Sequence, residues 1–318
     1  MIVIYSRNKA AANVAVFLNA LGYQTKLTQE SLLTFPRRIE QQPDNLFLIW
    51  AGPYRKIYHN AHPTFPNLAY LECGFLPHYS STQLDSLGHG ASSSAAQTTS
   101  TPITNEQKQQ LDEYLDQHYW NKETPTQLPV SGPFILFPIQ HLADSVIKYD
   151  APAYAQNFER ILRDLVQYMP SDYTLVVKQH PKSHHGHRLY QHNRIHYIDR
   201  IENDMDNWQL NHQLLKSSRA LVSINSSYIF EALAHSTPII SLGRGVFSGK
   251  NVTIEQDKIT DKTFSNLRFS KQNASALLYD LCINRQLANI DFTNMDRVRH
   301  VWDFFCNDIK MKKGFIVK

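Results

Sequence analysis

The chain predicts an α/β architecture of two parallel-sheet lobes, and three observations carry that reading. It opens with a strand–helix–strand pattern, its second half alternates strands and helices at short intervals, and residues 222–243 run strand, hydroxyl-rich turn, helix and strand in immediate succession. At 318 residues it is too long for one ordinary core and suits two. Sheets of this kind bind ligands at the carboxyl ends of their strands, and two such lobes imply a cleft between them.

In chain order, the apolar run Ile2, Val3, Ile4, Tyr5 is the first strand. Residues 10–21 have helical spacing, Gly22 suits the position just past a helix end, and 24–27 are extended again. The connecting loop Ser6, Arg7, Asn8, Lys9 has no glycine, so the G-x-G-x-x-G fingerprint is missing and a nicotinamide or flavin enzyme is disfavoured. Residues 46–50 and 68–71 are further buried strands. From 79 to 104 the composition shifts to Ser, Thr, Gly and Ala, which reads as a mobile loop. A helix over 106–119 and a proline-bearing linker over 125–133 close a first lobe of 1–128.

The second lobe, 129–294, places strands at 134–137, 173–178 and 196–198, helices at 153–169 and 208–217, then the 222–243 unit and a helix over 274–287. Residues 295–318 form a last helix, spaced for 295–305, and a basic tail, expected to pack back on the first lobe. Lys310, Lys312 and Lys313 interleaved with Met311 and Phe315 read first as a solvated charged end, with peripheral contact with an anionic membrane face as the alternative.

Bulk properties narrow the function. Apolar residues make up 42% and charged residues 19%, so both lobes can bury a core. A net charge of +4 fits an anionic ligand or membrane surface and is too small for a nucleic-acid partner. Cys73, Cys282 and Cys306 include no CxxC pair, consistent with a reducing compartment and against a thiolate zinc cluster. With neither a signal peptide nor an apolar run of about 18 residues, the expected location is cytoplasmic.

Chemistry concentrates at a few places. Asn225, Ser226 and Ser227 end an apolar run with helix-capping residue types, and the helix that follows favours an anion at its start. Glu231, one turn inside, can reach the hydroxyls of a ribose whose phosphate rests on the turn. Val176 and Val177 run into Lys178, Gln179, His180 and Pro181, so a lysine and a histidine emerge at a strand's carboxyl end, where they suit a phosphate and the charge developing on it. Glu72 follows one predicted strand, and Asp144 lies in the loop after another. One acid from each lobe is what glycosyl transfer needs, although Asp144 before Ser145 also reads as a helix cap. Asp204-Met205-Asp206 resembles a metal-holding D-x-D but also suits a helix start. His180, His184, His185, His187, His192 and His196 match no established metal spacing and read as an exposed turn.

Taken in order, Glu72-Cys73-Gly74-Phe75-Leu76, Gln140 with Asp144-Ser145, Lys178-Gln179-His180-Pro181, Asn225-Ser226-Ser227 with Glu231-Ala232-Leu233, and 238–243 resemble the capsule polysaccharide biosynthesis family, whose best understood members are retaining β-Kdo glycosyltransferases. The resemblance implies a GT-B glycosyltransferase fold of two Rossmann-like lobes with a cleft between them. It also implies CMP-β-Kdo as donor, and a lipid-linked or polysaccharide acceptor at the inner face of the cytoplasmic membrane. By the same resemblance His180 meets the CMP phosphate beside Lys178 and Pro181. Gln140, Asn225, Ser226, Ser227 and Glu231 complete the nucleotide site, Asp144 is the nucleophile and Glu72 a proton-transfer residue. Neither metal nor cofactor is implied beyond the nucleotide-sugar donor. Cys73 stands where the family has a small acidic residue, and 244–248 depart from its aromatic-rich stretch. The rival functions are an inverting transferase for a CMP-sialic-acid-type donor, a non-catalytic saccharide-binding subunit of a capsule assembly complex, and a metal-dependent hydrolase built on the histidines.

Overall fold

Two six-stranded sheets organise the chain. A computed structural model describes residues 1–5, 10–29, 35–52, 55, 65–99, 101–120, 128–141, 143–180, 188–199 and 204–317. The first sheet takes β1 (Ile2–Tyr5), β2 (Thr25–Thr28), β3 (Leu46–Trp50), β4 (Leu68–Cys73), β5 (Ser81–Asp85) and β12 (Gln286–Ala288) in the order β12-β5-β4-β3-β1-β2. The second takes β6 (Phe134–Pro138), β7 (Thr174–Lys178), β8 (Ile195–Ile198), β9 (Ala220–Ser223), β10 (Ile239–Ser241) and β11 (Ile254–Glu255) in the order β11-β10-β9-β6-β7-β8.

Strands such as Leu46–Trp50 and Phe134–Pro138 are continuous apolar runs because both sheet faces are covered. Every pairing in the second sheet is parallel. The first is parallel except where β5 runs against β4 and β12 against β5. The helix Phe158–Tyr168 shows how the covering layers arise. Its Ile161, Leu162, Leu165 and Val166 form one buried stripe, and the Asn157 side chain accepts from Arg160 N at its start.

The structure divides the chain differently from the sequence reading. One unit comprises Met1–Thr98 with Tyr279–Lys318, the other Thr99–Leu278. The boundary set at 128/129 falls instead at 98/99, because Asn105–His118, started by a Thr104–Gln107 capping box, ends in a tyrosine packed among helices of the second unit. The boundary at 294/295 falls at 278/279. The helix expected over 274–287 runs as an α-helix over Lys271–Tyr279 and a π-helical turn over Asp280–Asn284, and Gln286–Ala288 then adds a strand to the first sheet. The final helix runs Met295–Lys313, well past the 305 expected, and its Val298, Val301, Trp302, Phe305 and Ile309 join Ile2, Ile4, Val14 and Leu48 in the first unit's core.

The segment read as a mobile loop over 79–104 is ordered and in part buried. Ser81–Asp85 is a strand, Ser94–Gln97 a helical turn, and the Asp85 carboxylate accepts from the backbone N–H groups of Leu87, Gly88 and Ser94. Small hydroxylated residues here pack closely and satisfy one another, a role that composition alone does not distinguish from solvation. In the tail, Lys313 Nζ turns inward to donate to Leu68 O (2.5 Å) and Phe65 O (3.3 Å), so this lysine is committed to the fold. Among the described residues no helix is long and apolar enough to cross a membrane.

Candidate active site

The second sheet begins at its middle. From β6 the chain moves outward through β7 and β8, then returns to the other side of β6 as β9, so the order reverses between β6 and β9. In open parallel sheets the crevice at the carboxyl ends of the strands at such a reversal is where ligands bind. Most of the residues that the sequence singled out lie there: Gln140 and Asp144 after β6, Lys178 and His180 at and after β7, Asn225, Ser226 and Ser227 after β9, and Glu231 in the helix Tyr228–Ala234. Pro181 lies outside the described residues, as do the loop 6–9, linker residues 125–127, His184, His185 and His187, and the side chains of Asp204–Asp206.

Gln140 and Asn225 clasp each other across the reversal. Gln140 Oε1 accepts from Asn225 N at 3.0 Å, and Gln140 Nε2 donates to Asn225 Oδ1 at 3.2 Å. Asn225 Nδ2 donates in turn to Val146 O (2.8 Å) and Arg244 O (3.3 Å). A side chain at Gly243 would place its Cβ 3.0 Å from Ile224 Cγ2 and 3.2 Å from Asn225 Nδ2, which accounts for the glycine. These two amides therefore shape the turn. Helix initiation falls to Ser226, whose Oγ accepts from Tyr228 N at 3.2 Å, while Ser227 makes no side-chain cap bond.

Asp144 does cap a helix: its Oδ1 accepts from Val146 N at 3.1 Å, opening Ser145–Asp150. Its side chain is nevertheless exposed, so the cap orients a carboxylate that solvent can reach. His180 is half-buried, with its ring 6.3 Å from that of His141.

Beside this rim sits a charged pair. Lys178 is 5% exposed, and its Nζ donates to Asn207 Oδ1 at 2.6 Å. Burial lowers the Lys178 ammonium to about 8, against the pull of Glu231. Burial likewise raises the Glu231 carboxyl to about 7, against Lys178 and the hydroxyl of Tyr119, which donates to Glu231 Oε2 at 3.3 Å. Tyr119 is held by rings: Trp208 at 5.9 Å, His212 at 4.4 Å and His235 at 6.1 Å between centroids. Sequence reasoning missed Tyr119 and Asn207. The one available signal was the aromatic pair Tyr119-Trp120 ending an otherwise charged helix.

Glu72 belongs to the first unit and lies near the end of β4. Its Oε2 accepts from Gly52 N and its Oε1 from Cys73 N, each at 3.0 Å. The turn after it is fixed by Gln286, whose Oε1 accepts from Phe75 N (2.5 Å) and Leu76 N (3.2 Å). Among the described residues no group of three or more His, Cys, Asp or Glu side chains is placed to hold a metal ion.

Two Rossmann-like units, one with a polar rim at its topological reversal, define a GT-B glycosyltransferase fold. The family described as "Capsule polysaccharide biosynthesis protein" matches residues 70–293, and the chain belongs to it. Among solved structures it is similar to KpsC from Thermosulfurimonas dismutans, described as a beta Kdo 2,7 transferase, at 16% identity over 94% of this chain and 98% of that one, with a TM-score of 0.63. A second KpsC structure from the same organism, a beta Kdo 2,4 transferase, is similar at 16% identity over 87% of this chain and 89% of that one, with a TM-score of 0.59. No curated protein matches.

Proposed function

We propose that the protein is a retaining glycosyltransferase that moves Kdo from CMP-β-Kdo to a lipid-linked or polysaccharide acceptor in capsule or lipopolysaccharide biosynthesis. The observation that carries this reading is the convergence, at one reversal of one parallel sheet, of a strand-end lysine and histidine, a serine-started helix and a half-buried carboxylate. Family membership and the likeness to two Kdo transferases support it.

In this reading the CMP phosphate rests against Lys178, His180 and the Ser226–Ser227 turn, and Glu231 receives the ribose. A phosphate beside Lys178 favours its charged form, which burial otherwise disfavours. Asp144 attacks the anomeric carbon, the bond to the phosphate oxygen breaks, and CMP leaves with that electron pair. The acceptor hydroxyl then attacks the same carbon from the opposite face, giving its proton to a base assigned to Glu72 and releasing Asp144. Two inversions give net retention. A leaving group with one phosphate can be stabilised by one lysine, one imidazole and a helix start, so the scheme requires no metal.

Intact-mass measurement after incubation with CMP-β-Kdo, without acceptor, tests the scheme. One Kdo residue should appear on the protein and map to Asp144. Asp144→Ala should gain none, lose transfer and still bind CMP. Full turnover by Asp144→Ala would overturn double displacement and favour an inverting enzyme. Absence of CMP release from the unaltered protein would favour a non-catalytic subunit.

A further inference from the structure

Tyr119 is 1% exposed, and its hydroxyl donates to Glu231 Oε2 at 3.3 Å. The tyrosine arrives from outside the parallel sheet, as the residue after the helix Asn105–His118. The ring sits among Trp120 (4.8 Å), Trp208 (5.9 Å), His212 (4.4 Å) and His235 (6.1 Å). His212 is fully buried, and among the described residues neither of its ring nitrogens has a hydrogen-bond partner, so it serves as an aromatic wall. A phenol locked by rings on several sides has few rotamers left, so its oxygen is a fixed point.

Glu231 needs such a point. It lies one turn into a seven-residue helix, and a glutamate has three side-chain torsions to settle before its second oxygen can meet a ligand. A fixed donor on Oε2 orients the carboxylate plane and leaves Oε1 for another donor. Asn207 does the equivalent for Lys178, accepting from its Nζ at 2.6 Å from the start of the helix Asp204–Ser217.

We infer that Tyr119 is a positioning residue that aims Glu231 at the ribose hydroxyls of the bound nucleotide, and so sets the preference for a ribonucleotide over a deoxy analogue. The inference rests on the nucleotide-binding reading above and adds to it a specificity device contributed by the helix ahead of the sheet.

Calorimetric titration with CMP and with 2′,3′-dideoxy-CMP, on the unaltered protein and on Tyr119→Phe, tests it. Phe keeps the ring packing and removes only the oxygen. The unaltered protein should bind CMP about tenfold or more tighter than the dideoxy compound, since a site built for hydroxyls penalises their absence. Tyr119→Phe should shrink that ratio to about threefold or less through CMP alone, with dideoxy-CMP unchanged within about twofold. Glu231→Gln should show the same collapse, and the double variant no further loss. An unchanged ratio in Tyr119→Phe overturns the assignment while leaving CMP binding intact. If Tyr119→Phe does not fold, a ratio in Glu231→Gln equal to that of the unaltered protein overturns it instead. Failure of the unaltered protein to bind CMP overturns the donor reading, and this one with it.

Discussion

Replacing Arg285 by methionine should cost the first unit several kcal/mol, because this side chain is the buried junction of three segments. It is 3% exposed. Its Nε donates to Asp280 Oδ2 at 2.8 Å and its Nη1 to Ser94 Oγ at 2.8 Å, with Asp308 Oδ2 at 4.0 Å from Nη1. The Asp308 carboxylate also accepts from Ser86 Oγ at 2.5 Å, and Asp85, itself pushed up by burial, is pulled down by the same guanidinium. Methionine fills most of the volume and leaves at least two enclosed carboxylates without their cation. Breaking a buried pair from one side costs about 3–5 kcal/mol. For a unit of this size that is a fall of roughly 10 °C in its melting temperature. Scanning calorimetry and guanidinium denaturation report it, and Arg285→Met with Asp308→Leu should recover part of the loss, since the second change removes a stranded charge. A loss below about 1 kcal/mol for Arg285→Met would refute the argument that this junction holds the C-terminal segment to the first sheet.

Two further outcomes follow from the same physics. Gly74→Ala would place a methyl 2.0 Å from Ser81 Oγ and 2.6 Å from Gln286 Oε1, so the turn beside Glu72 must shift; we expect a loss of about 1–3 kcal/mol, and a thermal melt matching the unaltered protein would contradict this. His89 and His212 are both held down to about 3, chiefly by burial, so the unfolded chain takes up protons below about 6.5 that the fold refuses, and their stabilisation is lost as pH falls. Glu231, raised to about 7, works in the opposite direction between its unfolded value of 4.5 and 7 and offsets part of the loss. From pH 7.0 to 5.5 the unaltered protein should lose about 1 kcal/mol more than His212→Leu in denaturant titrations, and equal losses would show that His212 charges within the fold.

Long apolar strands and the strand–turn–helix unit at 222–243 were legible because covered parallel sheets demand unbroken hydrophobic runs, and because Ser226 starts its helix as its residue type suggests. The rim was legible for the same reason: Lys178, His180 and Asn225 follow the ends of recognisable strands. What sequence could not give were long-range pairings. Ser81–Asp85 looks like a loop until Gln286–Ala288 pairs with it from more than two hundred residues away, and Asp85 looks solvated until it is found capping the turn that follows. By its neighbours in sequence Tyr119 belongs to the first lobe, whereas its ring contacts place it in the second unit. Asn225 reads in the sequence as a cap and a ligand residue, and nothing local announces that its polar atoms bind Gln140, Val146 and Arg244.

The central claim is that the rim formed by Lys178, His180, Ser226 and Glu231 holds a cytidine monophosphate. Titrating the protein with CMP, UMP, GMP and AMP by calorimetry tests it most directly. The account predicts saturable binding of CMP, at least about tenfold tighter than of the other three and weakened by Lys178→Met. Equal affinity for all four, or CMP binding that Lys178→Met leaves untouched, would contradict it.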